Sequence, residues 1–292
     1  MLRGPMSRPR PRPDIASLEE KARRIRATCV RMAFDSGIGH LGSALSCVEG
    51  LLALFHGWLR LTPETVSDPD RDRFILSKGH GCTALYSVWA DLGFIPREQL
   101  SRYAETGGPL PDHPCRHANR LVEFSSGSLG HGLGVATGML YGLRLRSSPA
   151  RAAVLLSDGE CNEGSVWEAA MFAAAQGLDR LLAVVDYNGI QAVGRSDDLM
   201  GHTSLEEKFR AFGWGARTVP GNDVGAVLGG LDGFPFRAGR PSALILRTLK
   251  GAGIGFMEDR VLWHYRVPSA EDLSRALAEL KAPPLHEAGG PP

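Results

Sequence analysis

Asp158 and Asn188 are the residues whose types and spacing best suit a hard cation. Each lies just beyond a short apolar run, Ala153–Ser157 and Leu181–Asp186. A carboxylate and an amide carbonyl are oxygen ligands of the kind Mg²⁺ prefers, and phosphate oxygens and water complete its octahedron. Gly159 follows Asp158 and, lacking Cβ, lets the backbone approach a phosphate closely. A plain strand–helix–strand unit with a capping Asp and a turn Asn would contain the same pair. The surrounding sequence must therefore decide between the two readings.

The elements that would position this pair follow from the pattern. Both runs are continuously apolar, as parallel strands covered on two faces are. Between them Ser165–Gln176 is rich in good helix formers and long enough for a right-handed crossover. Ligands of open α/β sheets bind at the carboxyl ends of strands, where both residues fall. Further strands are predicted at Phe74–Ser77, Gly215–Val219 and Ser242–Leu249. Helices are predicted over Ile15–Phe34, Thr83–Leu92, Val135–Leu145, Leu205–Phe212 and Glu271–Leu280. Ser17 with Glu20 suggests a capping box for the first. Lys78–Gly81 forms a turn whose free amides suit a phosphate. The alternation predicts an α/β fold, a central mainly parallel sheet with helices on both faces.

The segment Ser157-Asp158-Gly159, Glu163-Gly164, Trp167-Glu168-Ala169 and Asp186-Tyr187-Asn188 resembles the diphosphate half-site of the transketolase family, with Ser157 in place of a Gly. The likeness extends along residues 15–270. Gly39-His40-Leu41-Gly42-Ser43 is similar to the family's GHxGS segment, and Leu76–Gly81 to its LSKGH segment. Leu110–Pro114 resembles the GHP segment with Asp112 for Gly, and Ser126–Gly132 the GxLGQG loop with His131 for Gln. Lys250-Gly251 through Trp263-His264 resembles the closing KGxG…WH segment.

The resemblance implies a thiamine diphosphate-binding fold. It implies Asp158, Asn188 and the backbone oxygen of Ile190 as Mg²⁺ ligands. Gly159, His80 and His264 would contact the diphosphate, and Gly127 and Leu129 the cofactor rings, with Ser128 and Glu160 in the same cofactor-binding segments. His40, His113 and His264 would line the substrate channel, with His80 beside them. Glu163 and Glu168 would meet a partner protomer beneath the cofactor. The implied reaction moves a two-carbon ketol unit from a ketose to an aldehyde acceptor. The cofactor supplies the carbanion chemistry and the protein supplies placement and proton traffic, to which His is suited.

The glutamate with which the family activates the aminopyrimidine ring belongs to a following domain that these 292 residues do not include. The expectation is a split enzyme: a C-terminal, pyrimidine-binding subunit on a separate chain and an α₂β₂ assembly. Other readings stay open. One is another thiamine enzyme, such as a 2-oxo acid dehydrogenase α subunit or a deoxyxylulose-phosphate synthase. Others are a two-chain acyloin or acyl-transfer enzyme of secondary metabolism, and a non-catalytic scaffold.

Composition narrows the field. A net charge of +1 argues against nucleic acid or an anionic membrane as the main partner. No apolar run reaches the roughly 18 residues of a spanning helix. Five cysteines without metal-like spacing suggest reduced thiols and a cytoplasmic setting. Residues 1–14, with Arg3, Arg8, Arg10 and Arg12 among prolines, are expected to be a disordered leader. Residues 15–280 form the predicted domain and 281–292 a flexible tail.

Overall fold

The computed structural model describes residues 13–282. Five strands form one parallel sheet: β1 (Arg73–Leu76), β2 (Ala152–Ser157), β3 (Leu181–Tyr187), β4 (Gly215–Pro220) and β5 (Ser242–Arg247). Their spatial order is β1-β2-β3-β5-β4. Ten α-helices accompany them among the described residues. In chain order these are α1 (Ile15–Ser36), α2 (Leu41–Ser46), α3 (Val48–Ala53), α4 (Cys82–Asp91), α5 (Gly132–Leu145), α6 (Gly164–Ala175), α7 (Ser196–Met200), α8 (Leu205–Ala211), α9 (Val224–Leu231) and α10 (Ala270–Glu279).

The continuous apolar runs are explained by cover on both faces. Ala153, Leu155, Leu182, Val184, Leu244 and Leu246 pack with α1, α3, α4, α9 and α10. Their strand neighbours Val154, Leu156, Ala183, Val185, Ala243 and Ile245 pack with α5, α6 and α8. Alternate residues point to opposite faces, so a strand with helices on both sides has no polar face. The predicted α/β class and parallel sheet are borne out. No helix among the described residues is long and apolar enough to cross a membrane.

Some local expectations are corrected. Asp14, assigned from sequence to the leader, is the N-cap of α1 and accepts a hydrogen bond from the Ser17 amide at 3.2 Å. Ser17 therefore lies in the first turn and cannot cap it with Glu20. A capping box forms at Ser269 and Asp272, opening α10. The rest of the predicted leader (1–12) and most of the tail (283–292) lie outside the described residues.

At the amino ends of β1 and β2, Asp72 is fully buried and accepts from Arg60 N at 2.8 Å, Arg60 Nη2 at 2.8 Å, Arg151 N at 2.9 Å and Arg151 Nη2 at 2.8 Å. Burial pushes its carboxyl up, but the Arg60 hydrogen bonds and the Arg151 charge outweigh it and hold the carboxyl below its ordinary value. A depressed carboxyl stabilises the fold above its unfolded pKa, and that contribution is lost as pH falls through the folded value. We predict that Asp72→Asn costs about 3 kcal/mol at pH 7, the low end for a broken buried pair because both arginines keep some solvent. Urea denaturation across pH should show variant and wild type converging in acid; a gap that does not change with pH would contradict this account.

Candidate active site

The sheet register sets the geometry. Ser157 pairs with Asp186, so the chain leaves β2 and β3 side by side. The Asp158 amide donates to the Asp186 carbonyl at 3.1 Å. Asp158 Oδ2 accepts from Gly189 N at 3.1 Å and Ser196 Oγ at 2.6 Å. Asn188 Oδ1 accepts from Ile190 N at 3.1 Å, and the Ile190 carbonyl accepts from Lys250 Nζ at 2.9 Å. Asp158, Asn188 and Ile190 line one cleft of ≈ 350 Å³. The same cleft takes in His40, His80, His113 and His264, and Gly127, Leu129, Gly159 and Glu163 also line it. A second cleft, under Leu140, Arg144 and Arg180, sits at the amino ends of β2 and β3 and holds no such set.

Two buried carboxylates at these strand ends differ in one respect. Asp186 is fully buried against the ammonium of Lys78, itself fully buried. Ser46 Oγ donates to Asp186 at 2.6 Å, and Thr248 Oγ1 donates as well. Burial pushes the Lys78 ammonium down, but Asp186 outweighs it and the net direction is up. Asp158 is 6% exposed, and no cation among the described residues is in contact with it. Burial, followed by the charge of Asp186, raises its carboxyl above the ordinary value. One carboxylate is neutralised by the chain and the other is not.

These residues fit Mg²⁺ with a diphosphate. No group of three or more His, Cys, Asp and Glu among the described residues could hold a metal. The donor set is instead a carboxylate, an amide carbonyl and a backbone carbonyl, each with lone-pair capacity remaining, which is magnesium chemistry. Gln191, which lines the cleft, has its Nε2 buried without a hydrogen-bond partner, as does Ser126 Oγ next to Gly127. Gly127 has φ +143°, where L side chains are strained, and a Cβ there would sit 3.3 Å from the His113 ring.

The histidines form a cluster around His40. Its ring centroid lies 5.7 Å from His80, 5.7 Å from His113 and 5.5 Å from His264. Burial, followed by the charge of His113, lowers His40. Burial, followed by Lys78, puts His80 well below its ordinary value. Burial, followed by Lys250, takes His264 down to about 3. Near pH 7 these three rings are neutral, so each offers one donor and one acceptor. His40 itself has a left-handed backbone, φ 65°, an uncommon conformation for a non-glycine residue that carries strain at functional sites. Its amide donates to the His264 carbonyl at 2.8 Å. A Cβ at Gly39 would come within 2.3 Å of the Tyr265 carbonyl oxygen. The Gly39-His40 and Trp263-His264 segments are thus in direct backbone contact.

Some of the predicted site residues lie elsewhere. Glu160 is fully buried and faces away from the cleft. Its carboxylate accepts from Gly130 N at 2.9 Å and from Ser77 Oγ, tying the Gly127–Gly130 loop to the end of β2. Ser128 and His131 are exposed and do not line the cleft, and Glu168 is exposed on α6. Lys78, Lys250, Gln191 and Tyr265 were not singled out from sequence. The available signal was a lysine directly after an apolar strand run, at Lys78, and near the end of another, at Lys250.

Residues 18–276 match the family model of the transketolase thiamine diphosphate binding domain. The chain belongs to the transketolase family. This transketolase-type chain is 40% identical over 265 residues to one subunit of the apulose-4-phosphate transketolase of Actinobacillus succinogenes, covering 90% of this chain and 96% of that protein. It is 35% identical over 264 residues to one subunit of the 6-deoxy-6-sulfo-D-fructose transketolase of a Clostridium species, with the same two coverages, 90% and 96%. Human transketolase is 35% identical over 254 residues, which span 86% of this chain and 40% of the human protein. The solved transketolase of Leishmania mexicana superposes with a TM-score of 0.84 at 23% identity, over 93% of this chain and 42% of that one, a likeness of fold.

The geometry makes two substitutions informative. Asp158→Asn removes an uncompensated buried charge, so the metal-free transketolase chain should keep or raise its thermal midpoint while Mg²⁺ affinity falls at least about tenfold. A lowered midpoint with unchanged metal binding, by calorimetry, would refute it. Gly39→Ala should lower the midpoint and disturb the His40 and His264 resonances together, because the new methyl must displace the Tyr265 backbone. An unperturbed spectrum would show that the contact is not tight.

Proposed function

We propose that this chain is the diphosphate-side subunit of a two-chain, Mg²⁺- and thiamine diphosphate-dependent transketolase. It would move a two-carbon ketol unit from a ketose donor to an aldehyde acceptor. The observation that carries this reading is the convergence of the Asp158, Asn188 and Ile190 oxygens with four histidines in one cleft at the strand ends. Relatives named as separate subunits match this chain over 96% of their length, which supports a partner on a second chain.

The roles follow from the chemistry of each group. Asp158, Asn188 and the Ile190 carbonyl would hold Mg²⁺, and His80 and His264 would offer N–H donors to the diphosphate. Gly127 and Leu129 would form the wall beside the cofactor rings. When bound, thiamine diphosphate supplies the electron sink for breaking and making the carbon–carbon bond. His40, whose ring is kept neutral by burial, and His113 would take or give the proton of a substrate hydroxyl. Glu163 borders the cleft, while Glu168 is exposed beside Met171 at 53% and Phe172 at 46% exposure. Carboxylates and exposed apolar side chains on one helix suit a surface covered by the second chain. Free, mostly buried cysteines suit a cytoplasmic setting.

The test is reconstitution. The chain is titrated with Mg²⁺ and thiamine diphosphate, alone and with a transketolase-type pyrimidine-side partner, and ketol transfer to an aldehyde is followed. Weak cofactor binding alone, with tight binding and turnover only in the pair, is the expected result. Full-strength binding and turnover by the isolated chain would overturn the two-chain reading.

A further inference from the structure

Lys250 lies just beyond the end of β5 and is fully buried, yet no carboxylate among the described residues contacts its ammonium. Three acceptors surround Nζ instead: the Ile190 carbonyl at 2.9 Å, the Gln191 carbonyl at 3.5 Å and His264 Nδ1 at 2.6 Å. An ammonium has three N–H donors and no lone pair. Two of the partners are carbonyls, which can only accept. The third is a ring nitrogen that can accept only when it carries no proton.

From this geometry we infer that Lys250 is a positioning residue that locks His264 in one tautomer, with Nδ1 bare and the proton on Nε2. A proton on Nδ1 would point an N–H at an ammonium 2.6 Å away, with no lone pair between them. His264 lines the cleft, so the lock makes its remaining polar atom a fixed donor toward any oxyanion bound there. The same ammonium holds the Ile190 carbonyl. One cation therefore orients both a proposed metal ligand and a proposed diphosphate donor. The consequence for catalysis rests on the transketolase reading above; the tautomer itself does not.

The test uses the full chain without cofactor or partner. Histidine is labelled with ¹⁵N, long-range proton–nitrogen correlations are recorded near neutral pH, and His264→Gln identifies the His264 signals. The expected pattern is a protonated Nε2 and a bare Nδ1 shifted by an accepted hydrogen bond. In Lys250→Met nothing forbids a proton on Nδ1, so the Nδ1-protonated form should become populated. A wild-type spectrum with the proton on Nδ1 overturns the proposal even if the variant does not fold. A folded Lys250→Met with an unchanged tautomer overturns it too, since a merely structural lysine would alter the midpoint and not the ring. Because no ligand is involved, these outcomes stand apart from success or failure of the ketol-transfer assay.

Discussion

The buried pair of Lys78 and Asp186 is the interaction on which the rest of the cleft depends. Lys78 extends from the end of β1 and also donates to the Ser43 carbonyl of α2 at 2.8 Å. Asp186, near the end of β3, receives Ser46 from α2, Thr248 from beyond β5 and Asn188 Nδ2 at 3.1 Å. Three strand ends and one helix therefore meet on a single pair of charges. Moving both ions out of water carries a penalty of several kcal/mol each, and the pair recovers it only when its remaining hydrogen bonds are satisfied. Such a pair contributes less to net stability than to uniqueness. A shifted register or a displaced α2 would leave a bare charge in the core.

That arrangement also divides the electrostatic work. Lys78 neutralises Asp186, so Asp158 stays unmatched one strand away. Burial, with Lys78 and Lys250 close by, holds His80 and His264 uncharged, since an added proton would meet an existing positive charge in a poorly solvated place. Burial takes the Lys250 ammonium down to about 8, with repulsion from Lys78 adding to it. The cleft combines an anionic hole suited to a cation with cationic and neutral donors suited to an anion. A metal diphosphate carries charges of both signs.

Much of this was legible in the residues, for identifiable reasons. Strands with helices on both faces read as unbroken apolar runs, and a polar side chain at a strand end follows its run directly, so the positions of Asp158 and Asn188 were visible. Helices α2 and α3 were not, because every residue of Leu41–Ser46 and Val48–Ala53 is buried and uniform burial erases the helical period. Helix α9 was hidden by Gly225, Gly229 and Gly230, which lower helix propensity where tertiary packing overrides it. Lys78 and Lys250 belonged to matched segments, but which acceptors they would meet depends on chain crossings that local pattern does not encode. Glu160 shows the opposite failure. The resemblance put it in a cofactor-binding segment, while its carboxylate lies buried against the Gly130 amide.

The contact between the Gly39-His40 and Trp263-His264 segments has a consequence for biosynthesis. The His40 amide binds the His264 carbonyl, so the two walls of the cleft are made at nearly opposite ends of the domain's synthesis. A ribosome must deliver the whole sheet before the first wall meets its counterpart. The strands can begin to assemble while the chain is still emerging, but the cleft closes only once the Trp263-His264 segment has left the exit tunnel. Chains stalled before that point would leave uncovered the side of α2 that meets the Val261–His264 turn, and exposed surface of that kind is what quality-control factors recognise.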